Sequence, residues 1–491
     1  MDFQVTVLST DWLVYVLVAV IVATIAYIRG RPQLRAPWRR VAQSKSGMIG
    51  LTVLLAFVVI GLLDSAHFRP RLATADANAK PAYAGDVLSV LDVALESLRT
   101  KREKTYSAPL ATRLYAKETI ELPGGGQVRD FPRLKYGGAG LKDPVQERAT
   151  DIAQTASAGV AGGVAVWLLC ALFIVFLAAR GDGAPLKRAW QNLWRGETDV
   201  PWQAVLLTLL AFCVVAGAAV ALAAKYHVLG TDKVGQDVLY QSLKSIRTGL
   251  VIGTLTTLVM LPFAIALGIA AGYLGGWIDD VIQYAYTTLN SIPGVLLIAA
   301  SVLMMQVYID GHPELFPTAA QRADLRLLFL CVILGITSWT GLCRLLRGEA
   351  LKLKELEYIQ AAQAFGVRRH RIITRHILPN VMHIVLISVV MEFSGLVLAE
   401  AVLSYVGVGV DPSMNSFGTM INNARLEMAR EPMVWWSLAA AFVFMVTLVL
   451  AANLFADAVR DAFDPRVRTR GLPLAVLLKA RGATTAGTEQ A

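Results

Sequence analysis

Charge is scarce in this 491-residue chain. Asp, Glu, Lys and Arg make up 17% of it and hydrophobic residues 55%, with a mean hydropathy of +0.54. Soluble domains carry about 25% charged residues. The deficit, together with apolar runs of about 20 residues, excludes an ordinary water-soluble globule and points to repeated membrane crossing. Cysteine is scarcer still: Cys170, Cys213, Cys331 and Cys343 all lie inside apolar runs or at their edges. With no C-x-x-C or Cys/His spacing among them, neither a disulfide framework nor a zinc site is expected. A phosphate loop is also missing. Gly137–Lys142 (GGAGLK) lacks both the G-x4-GK[ST] spacing and the strand and helix that must flank it. No internal repeat is visible. The net charge of +10 resides in a few short loops between apolar runs, which reads as a topology signal, and no nucleic-acid partner is expected.

What is present is a series of nine candidate spans, at 12–28, 48–63, 158–179, 203–224, 249–275, 281–305, 327–343, 382–403 and 434–456. Helices are the expected element, because backbone groups facing lipid must be satisfied within their own segment. The first run, Trp12–Ile28, follows an acidic lead-in without a small-residue cleavage site and reads as a retained span. Basic residues orient the set. Arg29, Arg31, Arg35, Arg39, Arg40 and Lys45 fill one loop, and Arg180, Lys187, Arg188 and Arg195 another. Eight lie between Arg344 and Arg375, and six more follow residue 456, whereas 306–326 has only Arg322 and Arg326. Placing the rich segments in the cytoplasm requires an odd number of spans and an outside N-terminus. Residues 64–157 then form an extracytoplasmic insert with one amphipathic helix expected at Asp86–Leu98. The last ten residues, GATTAGTEQA, read as disordered.

One loop stands apart. Glu357–Asn380 reads EYIQAAQAFGVRRHRIITRHILPN, a polar island between two apolar runs. Good helix formers continue to Phe365, Gly366 is a natural stop, and Arg368, Arg369 and Arg371 sit where a helix C-terminus favours cations. Tyr358, Ala361, Ala362 and Phe365 fall at helical spacing on one face. A second short helix is expected over Arg371–Ile377, ended by Pro379, which can open the next span. Composition alone fits two roles equally, a partner-docking elbow and an interfacial helix pressed on anionic lipid.

The spacing Ala361-Ala362-x3-Gly366, followed by Leu378–Pro379, resembles the coupling loop of the membrane subunits of ABC importers. The family usually has Glu where this chain has Gln360; Glu357, one turn earlier, is a candidate substitute. Further stretches resemble the second permease subunit of dipeptide/oligopeptide (and nickel) transporters. They are residues 40–63, His227–Leu239 (HVLGTDKVGQDVL) followed by Arg247, Gly272–Trp277, Ser291–Pro293, Glu400–Gly409 and Asn453–Arg466. The resemblance covers 40–64 and 226–468. It implies an all-α integral membrane protein with the transmembrane fold of a type I ABC importer, six core helices and about three extra spans. Residues 1–39 would be the extra N-terminal span and its basic loop, 40–64 the first core span, and 65–226 an insert ending in a two-span hairpin. The core permease domain would cover 227–468 with its coupling loop at 344–380, and 469–491 a cytoplasmic tail.

The resemblance also implies partners: a second permease subunit, two ATP-binding subunits and an extracytoplasmic peptide-binding protein, in a lipid bilayer. ATP and Mg would be bound on the partners and no cofactor on this chain. The expected function is a permease for short peptides without enzymatic activity of its own. Alternatives are the same machine for a nickel chelate or peptide antibiotic, or a membrane sensor or scaffold. ATPase coupling is assigned to Glu357, Gln360, Ala361, Ala362, Phe365, Gly366, Arg368, Arg369, Leu378 and Pro379. His227, Gly230, Thr231, Asp232, Gly235, Asp237 and Arg247 form an external signature, in which Thr231 or Asp232 is expected to cap the following helix and a metal site is disfavoured. Pro293, Glu392 and Glu400 are intramembrane candidates: pathway lining and helix pairing both fit the acids, with pairing favoured for Glu400. Asn453, Asp457, Arg460, Asp461 and Arg466 would gate or contact the ATPase, or simply form a solvated helix end with weak local ion pairs. Where the family often carries charge ahead of its third-span proline, Tyr284–Asn290 has none, which leaves a pathway role there without support from the resemblance.

Overall fold

The computed structural model describes residues 3–71, 83–121, 127–182, 185–196, 198–312, 314, 316 and 318–463. Among these, nine helical runs are long and apolar enough to cross a membrane. They are α1 (Ser9–Arg29), α3 (Lys45–Ser65), α6 (Arg148–Asp182), α8 (Trp202–Ala223), α9 (Val238–Leu274), α11 (Gly294–Gly311), α12 (Ala319–Lys354), a run ending in α15 (Leu378–Val406), and α17 (Trp436–Phe463). Shorter helices lie between them: α2 (Pro32–Gln43), α4 (Val90–Ala94), α5 (Glu96–Thr100), α7 (Leu186–Arg195), α10 (Gly276–Ser291), α13 (Glu357–Ala364), α14 (Arg369–Ile372) and α16 (Phe417–Met428).

The expected span at 281–305 is not one helix. It divides into α10 and α11 at Ile292–Pro293, because proline brings no N–H to the helical ladder and drives its predecessor to extended backbone. Ile292 has φ −90° and ψ 131°. The expected helix at Asp86–Leu98 is replaced by two single turns. Ser89 and Asp92 form a capping box that starts α4 only at Val90, and Leu95 leaves helical geometry at φ −103°, ψ 21°.

The core is the pairing of the two longest helices, α9 and α12, with α10 and α15 against them. Met260, Ile269, Trp339, Leu342, Leu346, Val381 and Val385 share one buried cluster. α3 and α17 pack on the opposite side of α9, where Phe57, Ile246, Phe417 and Leu448 are buried together. α6 and α8 form a separate hairpin.

Three basic segments, at 29–47, 180–202 and 344–376, fall at one end of the bundle together with Arg460 on α17. Arg39 pairs with Asp199, joining two of the loops, and Trp38 stacks edge-on at 5.4 Å against Phe463 at the end of α17. The remaining basic loop follows α12 at the same end. At the other end two small sheets form. β1 (Phe3–Val5), β2 (His67–Pro70) and β3 (Leu88–Ser89) are antiparallel, and β4 (Glu118–Glu121) pairs with β5 (Gln127–Asp130). The expected disordered tail and Arg466 lie outside the described residues.

Candidate functional site

Two polar constellations sit at opposite ends of the long helices. The first is the elbow after α12. Its first helix, α13, closes in a Schellman arrangement: Gly366 N–H donates to Gln363 O at 2.9 Å and Val367 N–H to Ala362 O at 3.1 Å. Gly366 takes φ +72°, the left-handed conformation that glycine adopts without penalty. The chain then turns into α14. The second helix of the elbow starts earlier than expected, at Arg369, and does not end at Pro379. A π-helical turn over Ile373–Ile377 carries it straight into α15, with Pro379 in the first turn of that helix where its missing N–H is harmless.

Three isoleucines anchor the elbow. Ile359, Ile372 and Ile377 are fully buried in the cluster built by α9, α10, α12 and α15. Ala362 leans towards the same cluster with Val367, so the expected shared face of Tyr358, Ala361, Ala362 and Phe365 is split: Ala362 lies three residues after the buried Ile359 and so shares its side of the helix. Glu357, Gln360, Ala361, Gly366, Arg368, Arg369 and Pro379 are exposed, Leu378 is half-buried, and Phe365 stands out at 87% exposure. The Tyr358 hydroxyl accepts a hydrogen bond from Asn380 Nδ2 at 3.0 Å, tying the elbow to the start of α15. Gln360 is held by Glu355, to whose carbonyl its Nε2 donates at 3.2 Å, whereas Glu357 has no such contact with it. At the same end Arg347 clamps Asp279 with two bonds of 2.6 and 2.7 Å, fixing α12 to α10. The sequence gives no signal for that pair, whose members are 68 residues apart. The three isoleucines were readable only as apolar members of a polar loop.

The second constellation surrounds the start of α9. The helix is capped by Asp237, which accepts from Leu239 N at 2.8 Å and Tyr240 N at 3.2 Å, and not by Thr231 or Asp232. Asp232 instead closes the preceding turn, accepting from Val234 N and Gln236 N, with Gly230 and Gly235 on either side of that turn. The Thr231 hydroxyl donates to Thr105 O at 2.8 Å and accepts from Ser107 N at 2.7 Å, so it is a fastener for the insert.

His227 is the centre of this fastener. Its Nδ1 lies 2.7 Å from Asp237 and its Nε2 3.5 Å from Glu103, an ion pair longer than a hydrogen bond. Glu103 in turn accepts from the backbone N–H groups of Lys135, Tyr136 and Gly137. Burial works against charge on His227, yet the two carboxylates outweigh it and hold its pKa up at about 9. Burial likewise opposes ionisation of Glu103, but His227 and the three N–H donors bring it down to about 2. Among the described residues no three His, Cys, Asp or Glu side chains come together as a metal set.

Arg247, one helical stretch further on, is buried and joins four helices. It donates to Asp11 at 2.6 Å and Thr10 Oγ1 at 2.9 Å on α1 and to Ser65 Oγ at 3.3 Å on α3, and lies 3.7 Å from Asp324 on α12. His67 adds a 2.7 Å contact to Asp11. Beside it Lys244 bonds Asp92 of the insert at 3.1 Å and pairs with Asp64 of α3. The sequence does not single out Asp11, Asp64, Asp92 or Asp324: the first two and the last lie at the ends of apolar runs, and Asp92 lies within the expected helix Asp86–Leu98 of the insert.

The remaining candidates divide. Glu400 is buried and accepts from Ser404 Oγ at 2.7 Å and Ser416 Oγ at 2.8 Å, a structural pairing of α15 with the start of α16. Glu392 is half-buried and has no hydrogen bond or ion pair among the described residues. Asn453 Oδ1 accepts from Ser394 Oγ at 2.6 Å, linking α17 to α15. Asp457, Arg460 and Asp461 are exposed on α17 and make no ion pair among the described residues.

Residues 264–469 match the family model described as the binding-protein-dependent transport system inner membrane component. Residues of this chain are 32% identical over 243 positions to the oligopeptide transport system permease protein OppC of Mycobacterium tuberculosis, covering 50% of this chain and 77% of that protein. The glutathione transport system permease protein GsiD of Pectobacterium atrosepticum is also 32% identical, over 50% of this chain and 74% of its own length. A solved inward-facing structure of the MetNI methionine ABC transporter aligns at 16% identity with a TM-score of 0.33, over 46% of this chain and 96% of that one.

Proposed function

The chain belongs to the binding-protein-dependent transport system inner membrane components and is a permease subunit of an ABC importer; from that premise we propose that its cargo is short peptides. The relatives are named for oligopeptide and for glutathione transport, and glutathione is itself a small peptide. The working assembly is this chain with a second permease subunit, two ATP-binding subunits that carry ATP and Mg, and an extracytoplasmic peptide-binding protein. The elbow end, which gathers the basic loops, faces the cytoplasm; the N-terminus and the insert lie outside.

The observation that carries this reading is the elbow: its isoleucines are sunk in the bundle while Phe365, at the close of α13, projects with no partner among the described residues. A rigid knob on a buried base transmits displacement. Closure of the ATP-binding dimer pushes α13, and the push reaches α9, α12 and α15 through Ile359, Ile372 and Ile377. The helices then exchange an inward-open for an outward-open arrangement, a two-state switch biased by nucleotide. Because the chain has no phosphate loop, hydrolysis falls to the partners.

Affinity purification from membranes, followed by uptake of labelled di- to pentapeptides into proteoliposomes, tests the proposal. The tagged chain should bring down an ATP-binding subunit and support ATP-dependent accumulation. A chain that purifies alone from intact membranes, as a sensor or scaffold would, overturns the assembly. Uptake of a nickel chelate with no peptide uptake overturns the cargo.

A further inference from the structure

Near mid-depth the chain exposes a set of polar groups that lipid would not tolerate. The first is the break at Ile292–Pro293, where the helical ladder is interrupted and residues 290–296 are all exposed on the isolated chain. Non-helical backbone at membrane depth persists only where it is covered by protein or lines a water-filled cavity. The second is a stripe on α10: Tyr284, Thr287, Thr288 and Ser291 share one helical face, all exposed, opposite the buried Ile282 and Tyr286. The third is Glu392 on α15, a half-buried carboxylate without a partner among the described residues, where ionisable groups are costly unless they face an interior path or a partner.

These features lie on helices packed into one cluster. Tyr286 of α10 and Val385 of α15 are buried in the same cluster, and both helices start at the elbow end. Pro293 and Glu392 each follow by seven residues, which is about 10 Å along a helix axis. Asn290, beside the break, is held by Thr340 of α12 at 3.2 Å, so the polar set includes a third helix.

We infer that the α10 stripe, the Pro293 break and Glu392 line the water-filled path through the assembled importer, with Glu392 as its contact for a cationic group, the free ammonium of a peptide. The inference rests on the proposed peptide cargo for the identity of that ammonium, and on the geometry alone for the path. The uncharged stretch before Pro293 is therefore no obstacle to a pathway role: hydroxyls supply the polarity and the charge comes from α15. An unpaired carboxylate on an otherwise neutral wall attracts cations and leaves zwitterionic peptides oriented amine-first.

The test uses the assembled importer in lipid nanodiscs, with the native cysteines replaced and ATP-dependent activity retained. Single cysteines are placed at Ser291, at Glu392 and, as a lipid-side control, at Leu169 of α6, which is 68% exposed. Each is treated with a membrane-impermeant cationic thiosulfonate and with its anionic counterpart, nucleotide-free and vanadate-trapped. Ser291→Cys and Glu392→Cys should react in at least one state while Leu169→Cys does not. The Ser291→Cys reaction should favour the cationic reagent about fivefold, and Glu392→Gln should abolish that preference. Absence of reaction at both path positions in both states overturns the path. Reaction without charge preference overturns the role of Glu392. Failure of peptide uptake by the unmodified importer would instead strike the proposed cargo and leave the labelling result standing.

Discussion

The guanidinium of Arg247 on α9 donates to the carboxylate of Asp11 on α1 at 2.6 Å, and both side chains are buried. This bond ties the additional N-terminal helix into the core, and Asp324 at 3.7 Å brings in the start of α12. Taking one partner from a buried pair leaves the other charge unpaired and costs about 3–5 kcal/mol. Arg247→Ala should therefore destabilise the chain strongly, read as loss of monodisperse protein on heating in detergent. The double replacement Arg247→Met with Asp11→Leu should recover part of the loss, because the Asp11 carboxylate goes as well, while Asp324 and His67 remain without their partners. Equal instability of the single and double variants would rule out the pair as the cause.

Gly366 makes the elbow rigid, and its replacement separates folding from coupling. Proline has its φ fixed near −65° and no N–H to give Gln363, so Gly366→Pro opens the end of α13. Uptake should fall to background while membrane insertion stays intact. Gly366→Ala keeps the N–H but strains the backbone by about 1–2 kcal/mol, and should lower uptake without abolishing it. Wild-type transport by the proline variant would refute the rigid-lever account.

Phe365, at 87% exposure, contributes almost nothing to the fold of the isolated chain. Its truncation to alanine should change thermal stability by no more than about 0.5 kcal/mol. If the side chain is the knob that seats in the ATP-binding subunit, the same variant should weaken co-purification about tenfold or more, as truncated aromatic anchors do at interfaces. A stable variant that still binds its ATPase would move the contact elsewhere on the elbow.

Helical spans and the elbow were legible because their signals are local: apolar length, loop charge, a glycine stop and alanine spacing. The break in 281–305 was carried by Pro293 alone, and hydropathy averaged over it. What stayed hidden is long-range. Arg347 with Asp279, and Arg247 with Asp11 and Asp324, join helices far apart in sequence, and each charge sits at the rim of an apolar run where periodicity says nothing. Asp237 was visible as a member of the signature, but its role as cap depended on where the turn closed by Asp232 ended. Glu400 accepts from Ser404 on its own helix and from Ser416 at the start of α16, contacts that its apolar surroundings in sequence do not reveal, and the lack of a partner for Glu392 among the described residues is visible only in the fold.

The fastener of the insert is set by pH, and its two ends fail in opposite directions. His227 binds a proton more tightly in the fold, its pKa raised from 6.5 to about 9, so its contribution is full below 6.5 and disappears as pH rises through about 9. Glu103 is shifted the other way, from 4.5 to about 2, so its contribution is full above 4.5 and disappears as pH falls through about 2. The insert should therefore be most firmly docked between pH 4.5 and 6.5 and loosen progressively between 6.5 and 9. Limited proteolysis of the 101–147 segment across this range reads the docking directly. His227→Gln, which has no titrating ring, should lose the change between 6.5 and 9 and be cleaved faster than wild type at pH 6. An unchanged alkaline limb in that variant would place the titration on another group.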